Sequence, residues 1–146
     1  MNEEKLDQSI PSYFCFCTAS DCSAGGSCLR RQALENVEED IEHLQIINPK
    51  LICPEAGEAC PHYRSNEKVK YASGFTQAIQ NVKAGNLGRV REEIAEFTSS
   101  RSYYRLRSGE IFMSPEIQKK VADILIACGA PEPIVFDHYK DMYNWS

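Results

Sequence analysis

Four thiols fall within fourteen residues in the stretch Cys15-Phe16-Cys17-Thr18-Ala19-Ser20-Asp21-Cys22-Ser23-Ala24-Gly25-Gly26-Ser27-Cys28, and Cys53 and Cys60-Pro61-His62 follow. Cysteines set so densely among Gly, Ser and Asp read as ligands rather than as ordinary core residues. Zinc favours tetrahedral sulfur or mixed sulfur and imidazole coordination, with four protein ligands and no open position in a structural site. Cys17, Cys22 and Cys28, spaced by four and five intervening residues, would wrap an ion in one loop, and the distant Cys60 would close the cage. Asp21, Ser23, Gly25 and Gly26 leave that loop free to aim backbone amides at sulfur, and Pro61 stiffens the second arm. Cys15, Cys53 and His62 are the reserve ligands. The spacing is wider than the knuckle with two residues between cysteines, so an iron-sulfur cluster, also held by thiolates, is the alternative to zinc. The competing structural reading is a set of buried free cysteines. It applies best to Cys128, on the apolar side of a helical pattern.

Length and charge narrow the setting. A chain of 146 residues with 42% hydrophobic and 25% charged residues is about one globular domain. No apolar run is long enough to span a bilayer, and the N-terminus lacks the basic start and apolar centre of a signal peptide. A cytoplasmic location away from membranes is expected. In a reducing compartment disulfides rarely persist, and an odd count of seven cysteines suits metal binding better than a disulfide framework. The net charge of -5 conceals a basic middle: Lys+Arg against Asp+Glu is 4 to 11 over residues 1–63, 9 to 5 over 64–113 and 3 to 5 over 114–146. That asymmetry suits an anionic partner for one face or, more simply, a solvated helix surface.

The elements that must position these residues are expected to be mainly α-helical: a small helical bundle with a Cys-rich metal-binding N-terminal loop and at most one short hairpin. Residues 1–13 read as a flexible arm, 14–63 as the Cys-rich segment and 64–146 as a helical segment with a helix-turn-helix-like element over 86–128, all in one interlocked domain. A helix starting at Leu29 either continues through Leu34, Val37, Ile41 and Leu44 or, the preferred version, stops early, so that an extended Leu44-Gln45-Ile46-Ile47 and a turn at Asn48-Pro49 carry Cys53 and Cys60 back to the first cysteines. From Glu67 onward the chain reads as helical. Val69, Phe75, Ile79 and Val82 would share a face stopped at Gly85, and Asn86 would cap a helix bearing Leu87, Val90, Ile94 and Phe97. A short basic helix over Arg101–Ser108 ends at Gly109. Ser114-Pro115-Glu116 starts another, with a capping Ser and Pro at its first position. The aromatic terminal segment, Val135 to Trp145, packs back on the body.

Catalysis is not expected. His43 and His138 lack partners, Cys60 and His62 have no third orienting group, and no phosphate-cradling Gly loop, nucleophile elbow or metal-hydrolase helix motif occurs.

The run Arg89-Val90-Arg91-Glu92-Glu93-Ile94-Ala95-Glu96-Phe97, Thr98-Ser99-Ser100, Arg101-Ser102-Tyr103-Tyr104-Arg105-Leu106-Arg107-Ser108-Gly109-Glu110 resembles the central helices of phage-repressor-like helix-turn-helix domains, with Ser114-Pro115-Glu116 opening the helix that follows. The resemblance implies DNA binding through Arg101, Ser102, Tyr104, Arg105 and Arg107, the basic groups meeting phosphates or guanine edges. The turn is about two residues shorter than that geometry uses, and Ser99 or its neighbour replaces the customary Gly. The plainer reading packs Tyr103 and Leu106 inward and exposes the arginines to water.

From Phe14 to Trp145 the chain also resembles an uncharacterised family of bacterial proteins classed only as a domain of unknown function. The resemblance rests on Cys17, Cys22, Cys28-Leu29-Arg30, Asn48-Pro49, Cys60-Pro61-x-Tyr63-Arg64, Ser102-Tyr103-Tyr104-Arg105 and Asp137 to Trp145. It implies Cys17, Cys22, Cys28 and Cys60 as the ligand set and carries no activity. The function expected is therefore a nucleic-acid-binding regulator with a structural zinc site. The alternatives are a protein-interaction module, with Phe14, Phe16, Tyr63 and Trp145 forming an aromatic patch for a partner or homodimer, and an iron-sulfur redox or sensor protein.

Overall fold

The computed structural model describes Leu6 and residues 9–146, so the arm expected over residues 1–13 lies partly outside the described residues. The described residues up to Lys68, with Tyr143–Ser146, form one compact unit, and Val69–Met142 form a second.

In the first unit the early-stopping helix is the one that forms. Helix α1 spans Leu29–Glu35 and buries Leu29 and Ala33 one turn apart. At Asn36 the side-chain Nδ2 donates to the Gln32 carbonyl at 2.8 Å and closes the last turn. The spacing that could have prolonged the helix runs into Glu38, Glu39, Asp40 and Glu42, whose repulsion disfavours a continuous helix. Ile41 and Leu44 are exposed instead. Ile46 then lies parallel to Phe16 in an isolated bridge. Asn48 accepts from the Lys50 amide at 3.0 Å and starts the turn of 3-10 helix Pro49–Leu51. A second 3-10 segment, Pro54–Ala59, separates Cys53 from Cys60. Phe14, Phe16, Leu29, Ala33 and Trp145 make the core of this unit. Trp145 meets Phe14 edge-on at 4.8 Å, a favoured aromatic arrangement.

The mainly helical expectation is corrected in the second unit. The chain is mixed α and β, about 40% helix and 13% strand, with a three-stranded antiparallel sheet. Strand β1 is Lys68–Ser73, β2 is Phe112–Met113 and β3 is His138–Tyr143, in the order β2-β1-β3. Ala72 pairs with Met113 and Ser73 with Phe112. Lys68-Val69-Lys70-Tyr71 alternates polar with apolar residues, the period of a half-buried strand, and this overrides the wider helical spacing drawn through Val69 and Phe75. Gly74, at φ +76°, then turns the chain in a conformation that L side chains rarely adopt, and no helix continues through it. Ile79 and Val82 follow in and after a single 3-10 turn, Ala78–Asn81.

The remaining helices match the reading closely. Helix α2 is Leu87–Phe97, α3 is Ser100–Ser108 and α4 is Pro115–Ala127. Ser99 caps α3 by accepting from the Ser102 amide at 3.0 Å, and Ser114 caps α4 with Pro115 at its first position. The left-handed Gly109 ends α3. Asn86 stands at the start of α2 without capping it; its side-chain amide donates to the Cys128 carbonyl at 3.0 Å. Phe75, Val90, Ile94, Met113, Val121, Leu125 and Cys128 are fully buried in this unit.

One carboxylate anchors the turn after β1. Asp137 accepts from the Thr76 hydroxyl at 2.7 Å and amide at 2.9 Å, and from the Gln77 amide at 3.3 Å. Partial desolvation pushes the Asp137 carboxyl upward, but these hydrogen bonds outweigh it and hold the pKa below the ordinary value. A depressed carboxylate stabilises the fold above its unfolded pKa of about 3.9 and loses that contribution as pH falls through the folded value. Asp137→Asn is therefore expected to cost about 1–2 kcal/mol at neutral pH, allowing for solvent screening. Urea denaturation should show the gap from the unaltered chain narrowing as pH falls below the unfolded value; a gap that does not narrow in acid would contradict this account.

Candidate functional site

Short backbone contacts gather the cysteines of the first unit. The Cys17 amide donates to the Arg30 carbonyl at 3.2 Å, the Leu29 amide to Arg64 at 2.6 Å, the Asn66 amide to Ser27 at 3.0 Å and the Ser23 amide to Pro54 at 3.4 Å. Cys28 and Ser65 form an antiparallel bridge, and the Tyr63 hydroxyl donates to Ser27 Oγ at 3.1 Å. Gly57 permits the close approach of the 3-10 segment: at φ +55° it is strained for any other residue, and a Cβ there would stand 2.9 Å from Ser23 Oγ. These contacts draw chain segments that are far apart in sequence around one space.

That space is a cavity of about 20 Å³ walled by Cys17, Cys22, Cys28, Cys53, Cys60 and His62, with Arg30, Ile47, Ile52, Gly57 and Tyr63 completing it. The four first-choice cysteines are thus brought together, and two of the three reserve residues join them. Cys15 is not in the wall; its thiol lies 3.9 Å from Gln45 Oε1. Cys28 is buried, Cys17, Cys22 and Cys60 are half-buried and Cys53 is exposed, and all seven cysteines are free thiols. Among the described residues, no three or more His, Cys, Asp or Glu side chains stand in a formed metal-binding arrangement.

Arg30 is the residue of this site that ligand spacing did not single out. Its Nη1 donates to the Cys15 carbonyl at 2.7 Å and its Nε to the His62 carbonyl at 2.8 Å, while the guanidinium lies 4.6 Å from the centre of the Phe14 ring. One side chain therefore bridges the first and last cysteine-bearing segments from the start of α1. Burial, and then neighbouring Arg64, lower its pKa, whereas the thiols of Cys15, Cys28 and Cys17 raise it. A guanidinium keeps its charge under such shifts, so a fixed cation stands beside the thiols. The sequence signal was its place two residues after Cys28.

The α3 residues divide differently. Arg101 and Arg107 are exposed, as is Tyr104. Ser102 is occupied by the helix cap, its hydroxyl accepting from Ser99 Oγ at 2.9 Å. Arg105 is half-buried, and its Nε lies 3.0 Å from Glu110 Oε1. Tyr103 and Leu106 point into the core, as the plainer reading expected. The aromatic interaction patch is corrected: Phe14, Phe16 and Trp145 are 2%, 6% and 8% exposed, since they form the core of the first unit, and Tyr63 is half-buried.

No helix among the described residues is long and apolar enough to cross a membrane. Neither the curated proteins nor the solved structures provide a significant match to the chain. One family model covers nearly all of it, matching residues 1–145, and the chain therefore belongs to DUF6078, a family of unknown function.

Proposed function

We propose that the chain is a metal-binding protein whose structural zinc is held by Cys17, Cys22, Cys28 and Cys60, with Cys53 and His62 as alternative ligands at the same cavity. The carrying observation is the convergence of five cysteines and one histidine on one small space. A volume of about 20 Å³ accommodates roughly one water-sized sphere, which suits a single ion better than an iron-sulfur cluster. A zinc ion with four thiolates carries two net negative charges, and the Arg30 guanidinium supplies a compensating positive charge at the wall. The apolar residues of the first unit are few, and a bound ion would hold its loops together.

Elemental analysis of protein purified without oxygen tests this reading. About one zinc per chain with no visible absorption band is expected. Iron with a broad visible band would replace zinc by a cluster, and protein free of any metal that also fails to take up added zinc would refute the site.

A second reading, nucleic-acid binding through α3, is supported by the exposure of Arg101, Tyr104 and Arg107 on a helix that carries no acidic residue. If that surface binds duplex DNA, affinity falls steeply with added salt. Salt-independent or absent binding would count against it.

A further inference from the structure

The C-terminal half of α3 borders a surface cleft of about 400 Å³ lined by Thr76, Tyr104, Arg105, Arg107, Ser108 and Glu110. The cleft lies wholly within the second unit. Its lining differs from the surface that a groove-docking helix would use. Docking would present the N-terminal residues of α3 to base edges, whereas Arg101 and Ser102 are absent from the cleft.

Three kinds of group meet there. Arg107 is an exposed guanidinium. Arg105 adds a second, and its Nε is buried without a hydrogen-bond partner, because Glu110 Oε1 is at ion-pair distance but out of line. The Ser108 hydroxyl donates to the Arg105 carbonyl at 3.2 Å and the Thr76 hydroxyl to Asp137, so both oxygens retain lone pairs that accept. Tyr104 is 54% exposed, yet its ring is held edge-on against buried Tyr103 at 5.1 Å. A fixed, half-open ring is a stacking platform with little ordering cost.

A helix C-terminus ordinarily repels anions. Here the last carbonyls are already engaged: Arg105 accepts from the Glu110 amide at 2.9 Å, Leu106 from Gly109 at 3.3 Å and Arg107 from Phe75 at 3.2 Å. The acidic group facing the cleft is Glu110, which partly occupies Arg105.

We propose that this cleft binds a nucleoside phosphate, with the phosphate on Arg105 and Arg107, the sugar hydroxyls on Thr76 and Ser108, and the base stacked on Tyr104. The occupant is an unpaired nucleotide, because a base inside a duplex does not offer its face to a side chain. The inference rests on the α3 nucleic-acid reading and narrows it from a duplex to a single strand or a free nucleotide. Glu110 is then a resident carboxylate that the phosphate displaces from Arg105.

Fluorescence anisotropy of the full chain with a labelled oligothymidylate, its duplex with oligoadenylate and adenosine monophosphate as competitor tests the proposal. Tighter binding of the single strand is expected. Tyr104→Ala and Arg107→Ala should each weaken it about tenfold, Arg101→Ala should weaken it less than either, and Glu110→Gln should strengthen it. Circular dichroism melting of each variant excludes unfolding as the cause of a loss. Competition by the monophosphate identifies free nucleotides as the source of the ligand, and its failure beside strand binding identifies the strand. Duplex preference with Arg101→Ala as damaging as Arg107→Ala would overturn the cleft and leave the docking helix standing. No binding of strand, duplex or monophosphate would overturn both.

Discussion

With zinc in the proposed four-cysteine site, Cys22→Ser is expected to lose the metal and, with it, the fold of the first unit. Cys22 is half-buried, and in this structure its side chain has a place in the cavity wall without a hydrogen-bond role elsewhere. The substitution removes one thiolate while almost conserving volume, so the packing loss is small and the effect isolates the ligand. Apparent binding energies of structural zinc are about 10–16 kcal/mol near neutral pH, comparable with the whole stability of a domain. Loss of one of four ligands should therefore reach the folding of the loops around Cys17–Cys28 and Cys53–Cys60, and chelation of the unaltered protein should do the same. Cobalt substitution gives the direct measurement, since the thiolate charge-transfer band should weaken in Cys22→Ser and in Cys60→Ser but persist in Cys15→Ser, whose thiol lies outside the cavity wall. Nuclear magnetic resonance should locate the disorder in the first unit, leaving amides of Val69–Met142 dispersed. A variant that keeps the full cobalt spectrum and melting temperature would remove Cys22 from the ligand set.

Phe75→Ala should have the second largest effect, on the other unit. Phe75 follows the left-handed Gly74, is fully buried and packs on Tyr103 with ring centres 6.1 Å apart. Its amide also donates to the Arg107 carbonyl, which ties the end of β1 to α3. Truncation removes most of the ring from a core that includes Ile94, Met113 and Leu125 and leaves a cavity, at a cost of about 3–5 kcal/mol. Phe75→Leu should cost less, because it keeps much of the apolar volume. Urea titration of both variants is the measurement, with equal slopes and separate midpoints as the expected result. A loss below about 1 kcal/mol in Phe75→Ala would mean that the surrounding helices close over the gap, contrary to a tightly packed core.

Local order was legible wherever a short-range signal had no rival. Ser114-Pro115-Glu116 specified a helix start through one hydroxyl and one restricted dihedral, and Gly109 specified a stop. The gathering of Cys17, Cys22, Cys28 and Cys60 around one cavity was legible for a related reason: clustered spacing brings several thiols into one loop. The second unit misled because Val69, Phe75, Ile79 and Val82 satisfy a helical spacing while Lys68 to Tyr71 satisfy a strand period, and only a strand partner decides between them. That partner, Phe112–Met113, is two residues long and too short to announce itself in composition.

What only the tertiary structure decided is the set of neighbours. Cys53 stands in the cavity wall, where Gly57 allows the Pro54–Ala59 segment to approach Ser23, while Cys15 stands outside it against Gln45. Arg30 becomes part of the site because α1 starts where its side chain reaches carbonyls on two other segments. Thr76 meets Arg105 and Arg107 around one cleft although it is some thirty residues distant in sequence, brought there by Gly74 and the Asp137 anchor. Residue types thus specify which chemistry is available, since reactivity belongs to the side chain itself. Long-range packing decides which groups share a cavity, because that depends on the combined free energy of contacts no local pattern contains.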